Sequence, residues 1–222
     1  MKNAETPILK LVLYGAVSSL GSALMAECLS RQYEIIAILD DLNALAPRPG
    51  LRTKVGELFN AERVCESIAG GAAVVCLLDA PVLPRGTGNK QLEGPLNPVE
   101  QLVATQTLLS CMQRMDIKRL ILVGDFSEID DEDHLDFQRT DLQQSRAAGL
   151  IVSSLTRSDR DWTLINAPQG IPGLSIEHFS QISDTLAPDI AEPLLRLTRV
   201  AAGIADELQT NPHVGEHVNF VC

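Results

Sequence analysis

The chain has 222 residues, 45% of them hydrophobic, with 18 lysines and arginines against 29 aspartates and glutamates, a formal net charge of −11. That length and apolar content suit one well-cored α/β domain, and no linker divides it. The negative charge argues against nucleic acid or an anionic membrane as a partner, because both are met by basic patches.

No apolar run approaches the length of a bilayer span, and the opening MKNAETP lacks a signal-peptide core and cleavage site. The five cysteines (Cys28, Cys65, Cys76, Cys111 and Cys222) are scattered without C-x-x-C spacing, so neither a metal site nor a disulfide framework is expected. Free thiols in a reducing cytoplasm fit that usage.

The first element is an apolar run, Ile8 to Tyr14, suited to a strand buried on both faces of a parallel sheet. Gly15 breaks it, and a helix follows from Gly21, with Leu20, Ala23, Leu24, Cys28 and Leu29 near helical spacing. Strand, small-residue turn and helix together make a phosphate cradle. The helix N-terminus supplies unpaired N–H groups and partial positive charge. Gly15 and Gly21 match the outer glycines of G-x-x-G-x-x-G, while Ser18 takes the place of the middle one. Ser18 and Ser19 can offer hydroxyls to a phosphate. The turn is read either as this cradle or as an ordinary strand-to-helix connection.

Tyr33 to Leu39 predicts a second strand ending at Asp40-Asp41. A carboxylate there accepts from ribose hydroxyls and repels a 2′-phosphate, favouring NAD(H) over NADP(H); otherwise Asp40 is a solvated loop residue. Leu51 to Leu58 is a short extended piece, Asn60 to Ala69 a helix, and Ala72 to Leu78 a buried strand ending at Asp79. The loop from Ala80 to Val99 is rich in Pro and Gly and lies where strand order reverses, the place of ligands in open α/β sheets. Arg85 and Lys90 either meet an anion there or are solvated.

Pro98 to Met115 is an amphipathic helix and Ile117 to Val123 the fifth strand. The acidic run Glu128 to His134 reads as a solvated loop rather than a metal site. Leu135 to Arg157 predicts a helix, Asp161 to Asn166 the sixth strand, Ile190 to Leu208 a helix and His217 to Val221 a closing strand. The fold expected is a doubly wound, mostly parallel Rossmann-type sheet of order 3-2-1-4-5-6 plus a C-terminal strand, with helices on both faces. One domain would span residues 1–222, with a small substrate-side portion from about 166 onward.

Several strings together resemble the NmrA-like branch of atypical short-chain dehydrogenases, which includes bacterial proteins called NADH–flavin reductases and NAD-dependent epimerases. They are Leu13-Tyr14-Gly15-Ala16 with Gly21; Val55-Gly56-Glu57-Leu58, like V-x-G-D-L; Ile117 to Gly124, like V-K-R-L-x-x-V-G; Asp161-Trp162-Thr163; and Leu197 to Ala201. The resemblance implies that Gly15, Ser18, Ser19, Leu20 and Gly21 hold the pyrophosphate and that Asp40 selects the cofactor. It puts Glu57 and Leu58 at the adenine, and Leu78, Asp79 and Ala80 along the ribose. Gly124 to Ser127 and Asn166 to Pro168 would border the nicotinamide, with Ser127 at the position of a catalytic hydroxyl or as a plain turn residue.

The classical Tyr-x-x-x-Lys relay is excluded. The two tyrosines, Tyr14 and Tyr33, precede the required helix, and the last lysine is Lys118. Two functions remain. One is an NAD(H)-dependent oxidoreductase whose acceptor, quinone- or flavin-like, draws its protons elsewhere. The other is a non-catalytic module that senses a dinucleotide and acts through a protein partner or a second copy of the chain.

Overall fold

The computed structural model describes residues 9–86, 94–126, 139–168, 170–180 and 188–220. Seven strands form a single sheet of order β3-β2-β1-β4-β5-β6-β7, and every neighbouring pair is parallel. The strands are β1 (Lys10–Tyr14), β2 (Glu34–Leu39), β3 (Leu51–Val55), β4 (Ala73–Leu77), β5 (Arg119–Gly124), β6 (Asp161–Asn166) and β7 (Glu216–Asn219). The central ones are buried from end to end, which is why they read as unbroken apolar runs rather than alternating ones. The last strand is parallel too, so the sheet is wholly rather than mostly parallel.

The helices are α1 (Ser19–Ser30), α2 (Ala61–Ile68), α3 (Pro98–Arg114), α4 (Arg139–Thr156), α5 (Ile176–Ser180) and α6 (Pro188–Thr210). α1 packs on α5 and α6, while α3 packs between α2 and α4. Their starts are set by local chemistry. Asn60 caps α2 through Oδ1, and Asn97 with Glu100 forms a capping box on α3 ahead of Pro98. At the far end of α2, the Lys54 ammonium donates to the carbonyls of Glu66, Ser67 and Ala69. No described helix is long and apolar enough to cross a membrane.

One polar cluster is buried among the apolar layers. At the start of β5, Arg119 Nη2 donates to Glu207 Oε1 on α6 at 2.7 Å and to Thr163 Oγ1 on β6 at 2.9 Å. The two charged side chains are 8% and 2% exposed. His213 Nδ1 lies 2.8 Å from the other Glu207 oxygen. The cluster joins β5, β6 and α6 at the edge of the sheet where the strands begin.

Candidate dinucleotide site

Because all strands run one way, their carboxyl ends line a single edge of the sheet. β1 lies between β2 and β4, so the chain leaves β1 toward one side and returns on the other; the crevice this creates is the ligand-binding place of such sheets. The glycine turn sits there. Gly15 has φ +85°, and a Cβ on it would come within 2.9 Å of Leu77 and Ala80 at the end of β4.

Ser18 caps α1. Its Oγ donates to the Gly15 carbonyl at 2.8 Å and accepts from the Gly21 amide at 3.0 Å. The hydroxyl therefore shapes the turn rather than pointing out of it, which explains how serine replaces a glycine here. The amides of Ser19 and Leu20, in the first turn of α1, have no acceptor within the helix and suit a phosphate. The Ser19 hydroxyl accepts from the Ile171 amide at 2.9 Å, so the segment after β6 is tied to the turn.

A cleft of about 990 Å³ opens beside this turn. Ser18, Ser19 and Leu20 form one end, Asp79, Ala80, Gly124 and Asp125 the floor, and Asn166, Ala167 and Pro168 a side. Asn166 orders that side: its Oδ1 accepts from the Phe126 amide and its Nδ2 donates to Asn219 Oδ1. Ile171, Leu174 and Phe220 make an apolar wall, which Ile171 brings up to the turn through its amide on Ser19 Oγ, and Arg196 of α6 adds a cation to the lining. Arg196 pairs with Glu192 at 3.2 Å.

Asp79 stands out electrostatically. Burial pushes its carboxyl up to about 6, and the Asp125 charge adds to the shift. The unfolded carboxyl ionises near 3.8. Its contribution to stability is therefore full below that pH and is lost as pH rises through about 6. Asp79→Asn is expected to stabilise the protein at pH 8 by about 3 kcal/mol and to add little at pH 4. Melting temperatures of both proteins across pH 4–8 check this; a constant difference would exclude it.

Among the residues expected at the site, Ser18, Ser19, Leu20, Asp79, Ala80 and Pro168 line the cleft, with Gly15 and Gly21 shaping the turn beneath it and Leu78 buried below the floor. Asp40 is exposed at the end of β2, outside the cleft lining. Glu57 and Leu58 are outside it as well: the Leu58 amide donates to the Pro84 carbonyl at 2.7 Å. Ser127, Lys90, the acidic run 128–134 and Cys222 lie outside the described residues. Arg85 is neither solvated nor offered to a ligand. It is buried, with Nη1 on Glu100 at 2.8 Å. Cys28, Cys65, Cys76 and Cys111 are free and buried.

Neither tyrosine serves the cleft. Tyr14 is buried with its hydroxyl 2.6 Å from Ser67 Oγ, and burial pushes its pKa upward; Tyr33 packs against the core. No group of three metal-binding side chains occurs among the described residues. Sequence reasoning missed Ile171, Leu174, Arg196 and Phe220. The Pro/Gly composition of 167–173 was the only local signal for that wall.

No curated protein matches the sequence significantly. Among solved structures, the oxidoreductase ylbE of Lactococcus lactis superposes with a TM-score of 0.65 at 16% identity, over 95% of this chain and 90% of that one. ChuY, an anaerobillin reductase of Escherichia coli O157:H7, gives 0.61 at 18% identity over 95% of each chain. A Rossmann-fold NAD(P)-binding family protein of Shigella flexneri gives 0.60 at 15% identity, over 96% of this chain and 93% of that one. At such identities the likeness establishes the fold. A sequence model of the family described as NAD(P)H-binding matches residues 15–170. That stretch begins at Gly15, where the turn begins, and ends at Gly170, which lies against Ser19; the chain belongs to the NAD(P)H-binding family.

Proposed function

We propose that the protein is an NAD(H)-dependent oxidoreductase that reduces a flat, largely apolar acceptor of the quinone or flavin type without a Tyr-x-x-x-Lys relay. The observation that carries this reading is the continuity of the cleft. One cleft is lined both by the capped glycine turn, with its first-turn amides, and by the apolar side chains of Ile171, Leu174 and Phe220. The bound nicotinamide would supply the hydride. The chain's own residues would hold the phosphates at Ser19 and Leu20 and keep the acceptor against the wall. An acceptor of this type takes its protons from solvent, so the absence of a tyrosine from the cleft is no obstacle. The buried free thiols fit a cytoplasmic location.

NADH oxidation with a quinone or a flavin as acceptor tests the reading. Turnover that Ser18→Trp abolishes supports it; cofactor binding without turnover for either acceptor favours a sensor. That second reading, a dinucleotide-sensing module acting through a protein partner or a second copy, draws on the engagement of the Leu58 amide by the chain itself.

Cofactor choice is assigned to Asp40. NAD(H) is expected to bind about tenfold more tightly than NADP(H), the effect of roughly 1.4 kcal/mol of repulsion from a 2′-phosphate. Asp40→Arg is expected to reverse the order. Calorimetric titration with all four cofactors measures it, and a preference unchanged in the variant removes Asp40 from the site.

A further inference from the structure

The segment 81–86, just after β4, lies across the ends of β3 and β4. Its Pro84 carbonyl takes the Leu58 amide at 2.7 Å. Gly86, at φ +88°, presses on Glu57 so closely that a Cβ there would be 2.8 Å from the Glu57 carboxyl carbon. Leu83 is buried at 3% exposure and Leu58 is fully buried.

Arg85 holds this segment down. Nη1 pairs with Glu100 Oε1 at 2.8 Å, and Nη2 donates to the carbonyls of Gly94 and Pro95 at 2.8 and 3.0 Å. The other Glu100 oxygen accepts from the Asn97 amide at 2.9 Å, closing the capping box of α3. A guanidinium only 8% exposed is thus paired and hydrogen-bonded, as a buried charge must be.

A dinucleotide laid across the switch point has its adenosine on the side of the acidic residue ending β2, and its phosphates at the N-terminus of α1. The adenine must then lie past Asp40, over the end of β3. Segment 81–86 covers Glu57 and Leu58 there; its first residue, Pro81, joins the cleft lining, which includes neither Asp40 nor Glu57 nor Leu58.

We propose that Arg85 is a specificity-determining residue. By latching segment 81–86 over Glu57 and Leu58 it closes the adenine end of the site, so that a nicotinamide mononucleotide enters the protein as it stands while a dinucleotide must first lift the segment. This deepens the oxidoreductase reading and rests on it. Lifting weakens dinucleotide binding by the fraction of molecules in the open form, and leaves the mononucleotide untouched. NAD(H) and NADP(H) share the cost equally, so the latch does not alter the choice made at Asp40.

The test is direct binding, followed by nicotinamide fluorescence, of NADH and of reduced nicotinamide mononucleotide. The proteins are the natural chain, Arg85→Ala and Glu100→Gln. In the natural chain the two ligands are expected to bind within about threefold of each other. Both variants are expected to bind NADH at least roughly fivefold more tightly, with mononucleotide affinity unchanged. NADH binding more than about tenfold tighter than the mononucleotide in the natural chain overturns the proposal, as does an equal shift of both ligands in the variants. Should a variant fail to fold, the ratio in the natural chain decides alone. If neither ligand binds any of the three proteins, the dinucleotide reading itself fails and takes this inference with it.

Discussion

Glu207→Ala is expected to cost about 3–5 kcal/mol of stability, because it strands a buried guanidinium. Arg119 and Glu207 are 8% and 2% exposed, and their 2.7 Å contact is the ionic link of the cluster. Glu207 also accepts from Thr163 Oγ1 at 3.1 Å and from the His213 amide at 3.2 Å, and it meets the His213 ring. Burial already pulls the Arg119 pKa down, against the pull of Glu207 and Asp161 upward. With Glu207 gone the desolvation remains and the main compensation does not. For a chain of this size the melting temperature should fall by roughly 10 °C. Glu207→Gln, which keeps most hydrogen bonds, should fall between the two. Cofactor affinity should not change, because the cluster lies where β5 and β6 begin and the cleft where they end. A melting temperature within about 2 °C of the natural protein would mean that Arg119 finds another partner or water.

Gly21→Ala should weaken dinucleotide binding on the order of 10- to 100-fold. The added Cβ would lie 2.2 Å from the Gly15 carbonyl oxygen and 2.8 Å from the Ala16 Cα. Both are backbone atoms, so no side chain can rotate away; the turn itself must open. Overpacking of this kind costs about 1–3 kcal/mol. The displacement also breaks the Ser18 cap, because the Gly21 amide is what Ser18 Oγ accepts from. The Ser19 and Leu20 amides then lose their common aim. Thermal shifts with NADH, compared between the two proteins, read the loss. Full affinity in a folded Gly21→Ala protein would place the phosphates elsewhere than on this turn.

The strands were legible because a strand buried on both faces needs no alternation, only a short apolar run with punctuation at its ends. β6 was expected over the residues it occupies, and the predictions for β2, β4 and α3 miss by a residue at one or both ends. α5, at five residues, is too short to display a helical period and went unread. The interior Pro193 did not shorten α6, which starts two residues before the expected boundary.

The site was legible only where its residues are neighbours in sequence. Gly15, Ser18 and Gly21 announce a turn because each acts within a few bonds of the others. Arg196 and Phe220 reach the cleft by the packing of α6 and the end of β7, and nothing next to them in the chain records it. Arg85 is the sharper case. A lone arginine in a Pro/Gly-rich loop reads as solvated or anion-seeking, and only the fold brings it to Glu100, fifteen positions away, and buries the guanidinium.

The wholly parallel sheet has a consequence for biosynthesis. No pair of neighbours is joined by a hairpin, so each pairing waits for an intervening helix or longer connection. By the time residue 77 has emerged from the ribosome, the chain holds a contiguous block, β3-β2-β1-β4. β5, β6 and β7 then add outward on one side, in the order in which they are made, and none has to be inserted between strands already paired. The helices follow a different schedule. α1 packs against α6, so its outer surface waits until the chain is nearly finished. A nascent chain halted before residue 188 should therefore have six strands paired and α1 covered only by α5, a substrate for chaperones until the last helix arrives.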